Sequence, residues 1–140
     1  MPYMLDTNIC IAATHSERNK KFREAKALFE KHVHGGLCIS SITLAELEYG
    51  VAKSEHPEKN TLALLAFLAP IDIMSFDDKA AVTYGAVRAD LHRNNIEIGA
   101  LDMLIAAHAL SLGLTLVTNN TREFDRIDGL AVVDWMSSDE

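Results

Sequence analysis

Four acidic residues in separated segments are the side chains of this chain best suited to chemistry. Asp6 stands in MLDTN, Glu46 in TLAELEYG, Asp102 in GALDM and Glu123 in NNTREFD. Carboxylates gathered within a few ångströms raise one another's pKa and cost stability unless a cation joins them. An all-oxygen set suits a hard ion such as Mg²⁺, with Mn²⁺ able to substitute. Such an ion is used chiefly on phosphate, where it activates a water, orients an in-line attack and neutralises developing charge. The six histidines, His15, His32, His34, His56, His92 and His108, show no spacing suited to zinc and read as satisfied or solvated side chains. No Gly-rich phosphate loop and no nucleophilic triad is present.

Each acid also has a purely structural reading. Asp6 can close the following turn through an Asx hydrogen bond. Glu46 lies three residues after Thr43, a capping-box spacing, and nearly opposite the apolar stripe Leu44, Leu47 and Val51. Asp102 is a favourable anion near a helix start, worth ~0.3–1 kcal/mol without any metal. Glu123 lies three after Asn120, again a capping-box spacing, and Asp125 competes for its role. None is diagnostic alone; their joint placement is.

That placement depends on the elements that carry them. Short apolar runs bounded by turn residues read as strands at residues 3–5, 37–39, 71–76 and 114–117, with a weaker one over 130–133. Helical spacing appears in between. Residues 20–33 carry Phe22, Ala25, Leu28, Phe29 and His32. Residues 59–68 follow a Pro57 start. Residues 78–94 align Ala81, Tyr84, Val87 and Leu91, and residues 101–112 align Leu101, Leu104, Ile105, His108 and Leu112. This alternation predicts a three-layer α/β/α sandwich around a parallel sheet of four to five strands. Right-handed crossovers put every strand C-terminus on one edge, where ligands bind. Asp6 ends the first strand, Thr118, Asn119 and Asn120 follow the fourth, and Glu46 and Asp102 lie near the starts of helices opening on that edge.

The bulk properties agree with one self-sufficient domain. The chain has 140 residues, 49% of them hydrophobic and 24% charged, enough to bury about 68–70% of its unfolded surface. No apolar run reaches membrane-spanning length and no signal peptide is evident. Cys10 and Cys38 read as buried free thiols, and a cytoplasmic protein is expected. The net charge of −7 counts against nucleic-acid binding, which normally uses a basic domain. A bound divalent cation would offset part of that charge. Lys20, Lys21 and Arg23, and Arg88 with Arg93, read as solvated helix faces.

The motifs, taken in order, resemble the PIN-domain ribonucleases and more closely the VapC toxins of bacterial toxin–antitoxin pairs. The resemblance runs through MLDTNICI at 4–11, ISSITLAELEYGVAKS at 39–54, IGALDMLIAAHALSLG at 98–113 and LVTNNTREFDRIDGL at 116–130, and ends with the tryptophan in VDWM. It implies one PIN domain over residues 1–140 and a Mg²⁺-dependent endoribonuclease held inactive by a small antitoxin. Asp6, Glu46 and Asp102 match the family's first three acids, with Asp6 and Asp102 as direct metal ligands. Many relatives carry an aspartate where Asn120 stands here, and Glu123 takes over part of that role. Thr7, Asn8, Ser41, Thr118 and Asn120 are implied as supporting or phosphate-positioning groups. Relatives with the TNN signature imply initiator transfer RNA, cut in its anticodon stem-loop. A homodimer and an antitoxin with a basic inhibitory tail, docking on segments 20–33 and 41–68, complete what the resemblance implies.

Rival readings fit less well. A phosphoacceptor receiver domain could use Asp6, Asp77 or Asp78, and Thr118, but the adjacent acids and the late lysine of that family are missing. A small metal-dependent phosphatase needs a second aspartate where Asn8 stands. A non-catalytic PIN-like binding module would have no need of all the acids.

Overall fold

The computed structural model describes residues 2–136. Five strands, β1 (Tyr3–Leu5), β2 (Leu37–Ser40), β3 (Asp72–Met74), β4 (Thr115–Val117) and β5 (Val132–Val133), form one sheet in the order β3-β2-β1-β4-β5. Every pairing is parallel, with Tyr3 opposite both Leu37 and Thr115. Helices α1 (Thr7–Thr14), α2 (Lys20–His32), α3 (Ser41–Ala52), α4 (Pro57–Leu68), α5 (Asp78–Arg93), α6 (Ala100–Leu112) and α7 (Thr121–Phe124) connect them. The expected α/β/α sandwich is therefore present, with five strands.

The sheet's pleat divides the core in two. Met4, Cys38 and Leu116 point to the side packed by Val87 and Leu91 of α5 and Ile105, Ala106 and Ala109 of α6. Leu5, Leu37, Ile39 and Val117 point to the other, packed by Ile9 and Ala12 of α1 and Ala25 of α2. Strands buried on both faces read as continuous apolar runs rather than alternating ones, which explains their sequence signature. Both cysteines are buried and free. No helix among the described residues is long and apolar enough to cross a membrane.

Several sequence expectations need correction. Helix α1 follows β1 directly, where the sequence suggested only a turn. TNICIAAT buries Thr7, Ile9, Cys10, Ala12 and Ala13, so almost no polar face marks a helical period. Helix α3 begins at Ser41 and is capped by Ser40, whose Oγ accepts from Ile42 N at 3.0 Å. Thr43 is thus inside the helix, and the Thr43–Glu46 capping box does not exist. On α5, Ala80 replaces the exposed Ala81 as the first member of the stripe, while Tyr84, Val87 and Leu91 face the core as expected. On α6, Leu101 and Leu112 are 47% and 40% exposed, while the small residues Ala106, Ala107 and Ala109 are buried. Close approach to the sheet selects small side chains there, which a stripe of large residues cannot reveal.

Candidate active site

Strand order reverses between β1 and β4, the position where doubly wound sheets open a crevice at their carboxyl ends. Asp6 and Thr118 leave those two strands side by side. Asp6 is the N-cap of α1 and only 2% exposed. Its Oδ1 accepts from the Thr7 backbone N–H at 2.7 Å, and its Oδ2 accepts from the Thr118 hydroxyl at 2.8 Å. Asp6 thus caps α1 as expected, but through the adjacent Thr7 N–H instead of the residue two on that an Asx turn would use, and the same carboxylate also holds Thr118. Burial pushes Asp6 above the usual carboxylate range. The Thr118 and Thr7 donors pull it back, and the charges of Glu46 and Glu123 push it further up.

Glu46 reaches this point from α3. The Thr7 hydroxyl donates to its Oε1 and also touches the Thr43 hydroxyl at 3.2 Å. Thr7 therefore ties two acids together, one through its backbone and one through its side chain. Asp102 enters from the first turn of α6, behind the N-cap Gly99. A Cβ at Gly99 would lie 3.4 Å from Asp102 Oδ2. The Asp102 carboxyl is pushed up to about 6 by burial first, then by Asp6, Glu123 and Glu46, and by its close approach to the Glu123 carboxyl.

Glu123 lies on α7 behind the N-cap Asn120. Asn120 Nδ2 donates to Glu123 Oε2 at 3.0 Å, and Asn120 N donates to the Thr118 hydroxyl at 3.0 Å. Asn120 thus fixes Glu123 instead of facing the other acids itself. Glu123 Oε1 is the one buried side-chain nitrogen or oxygen without a hydrogen-bond partner among the described residues. Asp125, the competitor considered from sequence, is exposed at the end of α7 and is not among the charges acting on Asp6 or Asp102.

The supporting residues divide. Thr7 and Thr118 bond directly to the acids. Asn8 is exposed on the first turn of α1. Ser41 Oγ accepts from Phe76 N at 3.1 Å, which fastens the exit of β3 to α3 instead of serving the carboxylates. Sequence reasoning missed Thr43, and it left His108 without a partner. His108, 1% exposed, places Nδ1 2.8 Å from Ser40 Oγ, with the Phe76 ring edge-on at 5.3 Å. It is a satisfied core histidine that joins α6 to the cap of α3. Arg126 also went unnoticed: its guanidinium reaches the carbonyls of Glu123 and Glu97 at 3.3 and 3.4 Å, linking α7 to the segment before α6.

The donor set can be tested against a cation. Among the described residues, no three acid, histidine or cysteine side chains already enclose one point as a closed metal cage. Mg²⁺ does not need such a cage, since it is usually held by one or two carboxylates and keeps several waters. Four mutually repelling carboxylates, one with a buried unpartnered oxygen and one raised to about 6, are an unfavourable arrangement that a hard cation relieves. The residues fit a divalent ion.

A parallel sheet in this order, with acids gathered at its switch point, defines the class, and residues 3–130 match the PIN domain family. The chain is 45% identical to the tRNA(fMet)-specific endonuclease VapC of Shigella flexneri over 96% of this chain and 98% of that protein. It superposes with a TM-score of 0.88 and 40% identity, over 96% of this chain and 99% of that one, on VapBC2 from Rickettsia felis bound to a DNA fragment from its promoter. DNA-bound VapBC from Salmonella typhimurium gives a TM-score of 0.86 and 41% identity, over 96% and 98% of the two chains. The chain belongs to the VapC group of PIN-domain ribonucleases.

Proposed function

We propose that this ribonuclease is the toxin of a toxin–antitoxin pair. In this reading it works in the cytoplasm as one domain spanning residues 1–140, and it hydrolyses transfer RNA with Mg²⁺ held by Asp6 and Asp102. The observation that carries the site assignment is the convergence of Asp6, Glu46, Asp102 and Glu123, from four elements, on one sheet edge, with Glu123 Oε1 buried and unpartnered. When bound, the cation supplies an activated water and charge neutralisation at the scissile phosphate. The chain's own groups prepare its place. Thr118 and the Thr7 amide aim the two Asp6 oxygens. Thr7 holds Glu46 beside them, and Asn120 holds Glu123. The acids repel phosphate until a cation is present, so RNA engages only the loaded site. The identity to a tRNA(fMet)-specific endonuclease supports initiator tRNA as the target, cut in the anticodon stem-loop.

Two features support the partner assignments. The acidic site suits a basic antitoxin tail that inserts a cationic side chain between the carboxylates, and the structural relatives are toxin–antitoxin complexes. A homodimer is the assembly we expect. The test is incubation of purified protein with total RNA and Mg²⁺, with and without EDTA, followed by mapping of the cut ends. We expect cation-dependent cleavage leaving 5′-phosphate and 3′-hydroxyl ends, with Mn²⁺ able to replace Mg²⁺. Asp6→Asn should keep the fold and abolish both cleavage and toxicity. A folded Asp6→Asn protein with undiminished metal-dependent activity would falsify the assignment.

A further inference from the structure

Thr43 is fully buried on α3, one turn before Glu46. Valine has nearly the same shape, so a hydroxyl at a dry position costs stability unless it is hydrogen-bonded. Thr43 stands in the first turn of α3, so no preceding helical turn offers its hydroxyl a carbonyl. Here Thr43 Oγ1 instead meets Thr7 Oγ1 at 3.2 Å, across the packed α1–α3 pair.

The direction of these bonds follows from counting protons. Thr7 has one hydroxyl proton, and the Glu46 carboxylate only accepts, so that proton goes to Glu46. Thr43 must then be the donor to Thr7. The result is a directed chain, Thr43 to Thr7 to Glu46, in which each bond polarises the next. The same Thr7 gives its backbone N–H to Asp6. One residue therefore sets the separation of two acids, and Thr43 sets the rotor of that residue.

We infer that Thr43 is a positioning residue for the cation site, acting on Glu46 through Thr7. This inference rests on the functional reading above. Without the Thr43 hydroxyl, the Thr7 rotor loses the donor that fixes it, and its proton is free to turn away from Glu46. Glu46 then loses the donor that holds it beside Asp6.

The experiment measures Mn²⁺ affinity by calorimetry on purified protein, with thermal melts of the metal-free forms alongside. Thr43→Val should weaken Mn²⁺ binding roughly 3- to 10-fold, below the 10–100-fold typical of groups that touch a ligand directly. Its melting temperature should stay close to wild type. Thr43→Ser keeps the hydroxyl and should bind as wild type. Thr7→Val should weaken binding more, and the double variant should be no weaker than Thr7→Val alone, because Thr43 acts only through Thr7. Additive losses in the double variant, unchanged affinity in Thr43→Val, or equal weakening by Thr43→Ser would each overturn the inference. Wild type that binds Mn²⁺ no better than Asp6→Asn would overturn the functional reading itself, a distinct pattern.

Discussion

At the scale of single residues, the acids were identifiable from their types but not from their surroundings. Glu46 shows why. Its spacing from Thr43 satisfies a capping box, yet Ser40 starts the helix and leaves Thr43 buried inside it. A Ser-Ser-x-Thr run offers several caps, and only the strand end decides among them. Likewise Glu123 and Asp125 could not be ranked until α7 buried one oxygen of Glu123 and left Asp125 exposed. The electrostatics give a prediction at this scale. Asp102 is raised from the ordinary 3.8 to about 6, so the metal-free folded state binds more protons than the unfolded one between those values. That contribution is fully present below 3.8 and lost as pH rises through about 6. Metal-free Asp102→Asn should accordingly be more stable than wild type at pH 7 by about 1 kcal/mol after a discount for solvent screening. The advantage should fade towards pH 4. Urea melts at a series of pH values check this, and added Mg²⁺ should reverse the order at pH 7.

At the scale of elements, long segments with turn residues at their ends were read correctly, and α1 was not. Helix α4 announces itself through Pro57 at its first turn. Helix α1 is buried on most sides and too short for a contrast between faces to develop. The contact that orients α6 was equally hidden, because a histidine in an apolar stripe does not reveal its partner. His108 Nδ1 pairs with Ser40 Oγ at 2.8 Å, and the ring also feels the Ser75 backbone. Burial lowers its pKa below 6.5, with the Asp77 charge and the Ser75 bond opposing. His108→Leu should cost about 1–3 kcal/mol at pH 8, since it leaves a buried hydroxyl without its partner. The depressed value means that the histidine's contribution is present above 6.5 and lost as pH falls through its folded pKa. The gap between wild type and His108→Leu should therefore narrow below pH 6.5, which paired denaturant titrations will show. Because His108 joins α6 to the cap of α3, the variant should also weaken Mn²⁺ binding. The loss of affinity should track the loss of stability, unlike that of Thr43→Val.

At the scale of the whole molecule, charge is the feature that most opposes a role on RNA. The chain carries −7, and four of its acids, Asp6, Glu46, Asp102 and Glu123, stand at the proposed RNA site. Among the helices that supply the acids, only α7 carries a lysine or arginine, Arg122, and Arg126 just after it is engaged with the carbonyls of Glu123 and Glu97. Lys20, Lys21 and Arg23 lie on α2, and Arg88 and Arg93 on α5, elements that do not supply the acids. Few phosphates can be neutralised by side chains near the cut, on the order of two. Counterion release then predicts a shallow salt dependence, with a slope near −0.7 per phosphate on single-stranded RNA. Raising NaCl from about 50 to 200 mM should weaken RNA binding by less than about tenfold, against the 10³- to 10⁵-fold loss of a protein making six to ten phosphate contacts. Removing the divalent ion should cost far more affinity than that salt step, because the cation carries the positive charge the chain lacks. Filter binding with Glu123→Gln, which keeps Asp6 and Asp102 and is expected to lose cleavage, measures both. A steep salt slope combined with indifference to EDTA would mean that RNA is held by a basic surface elsewhere on the molecule, and not at the carboxylate edge.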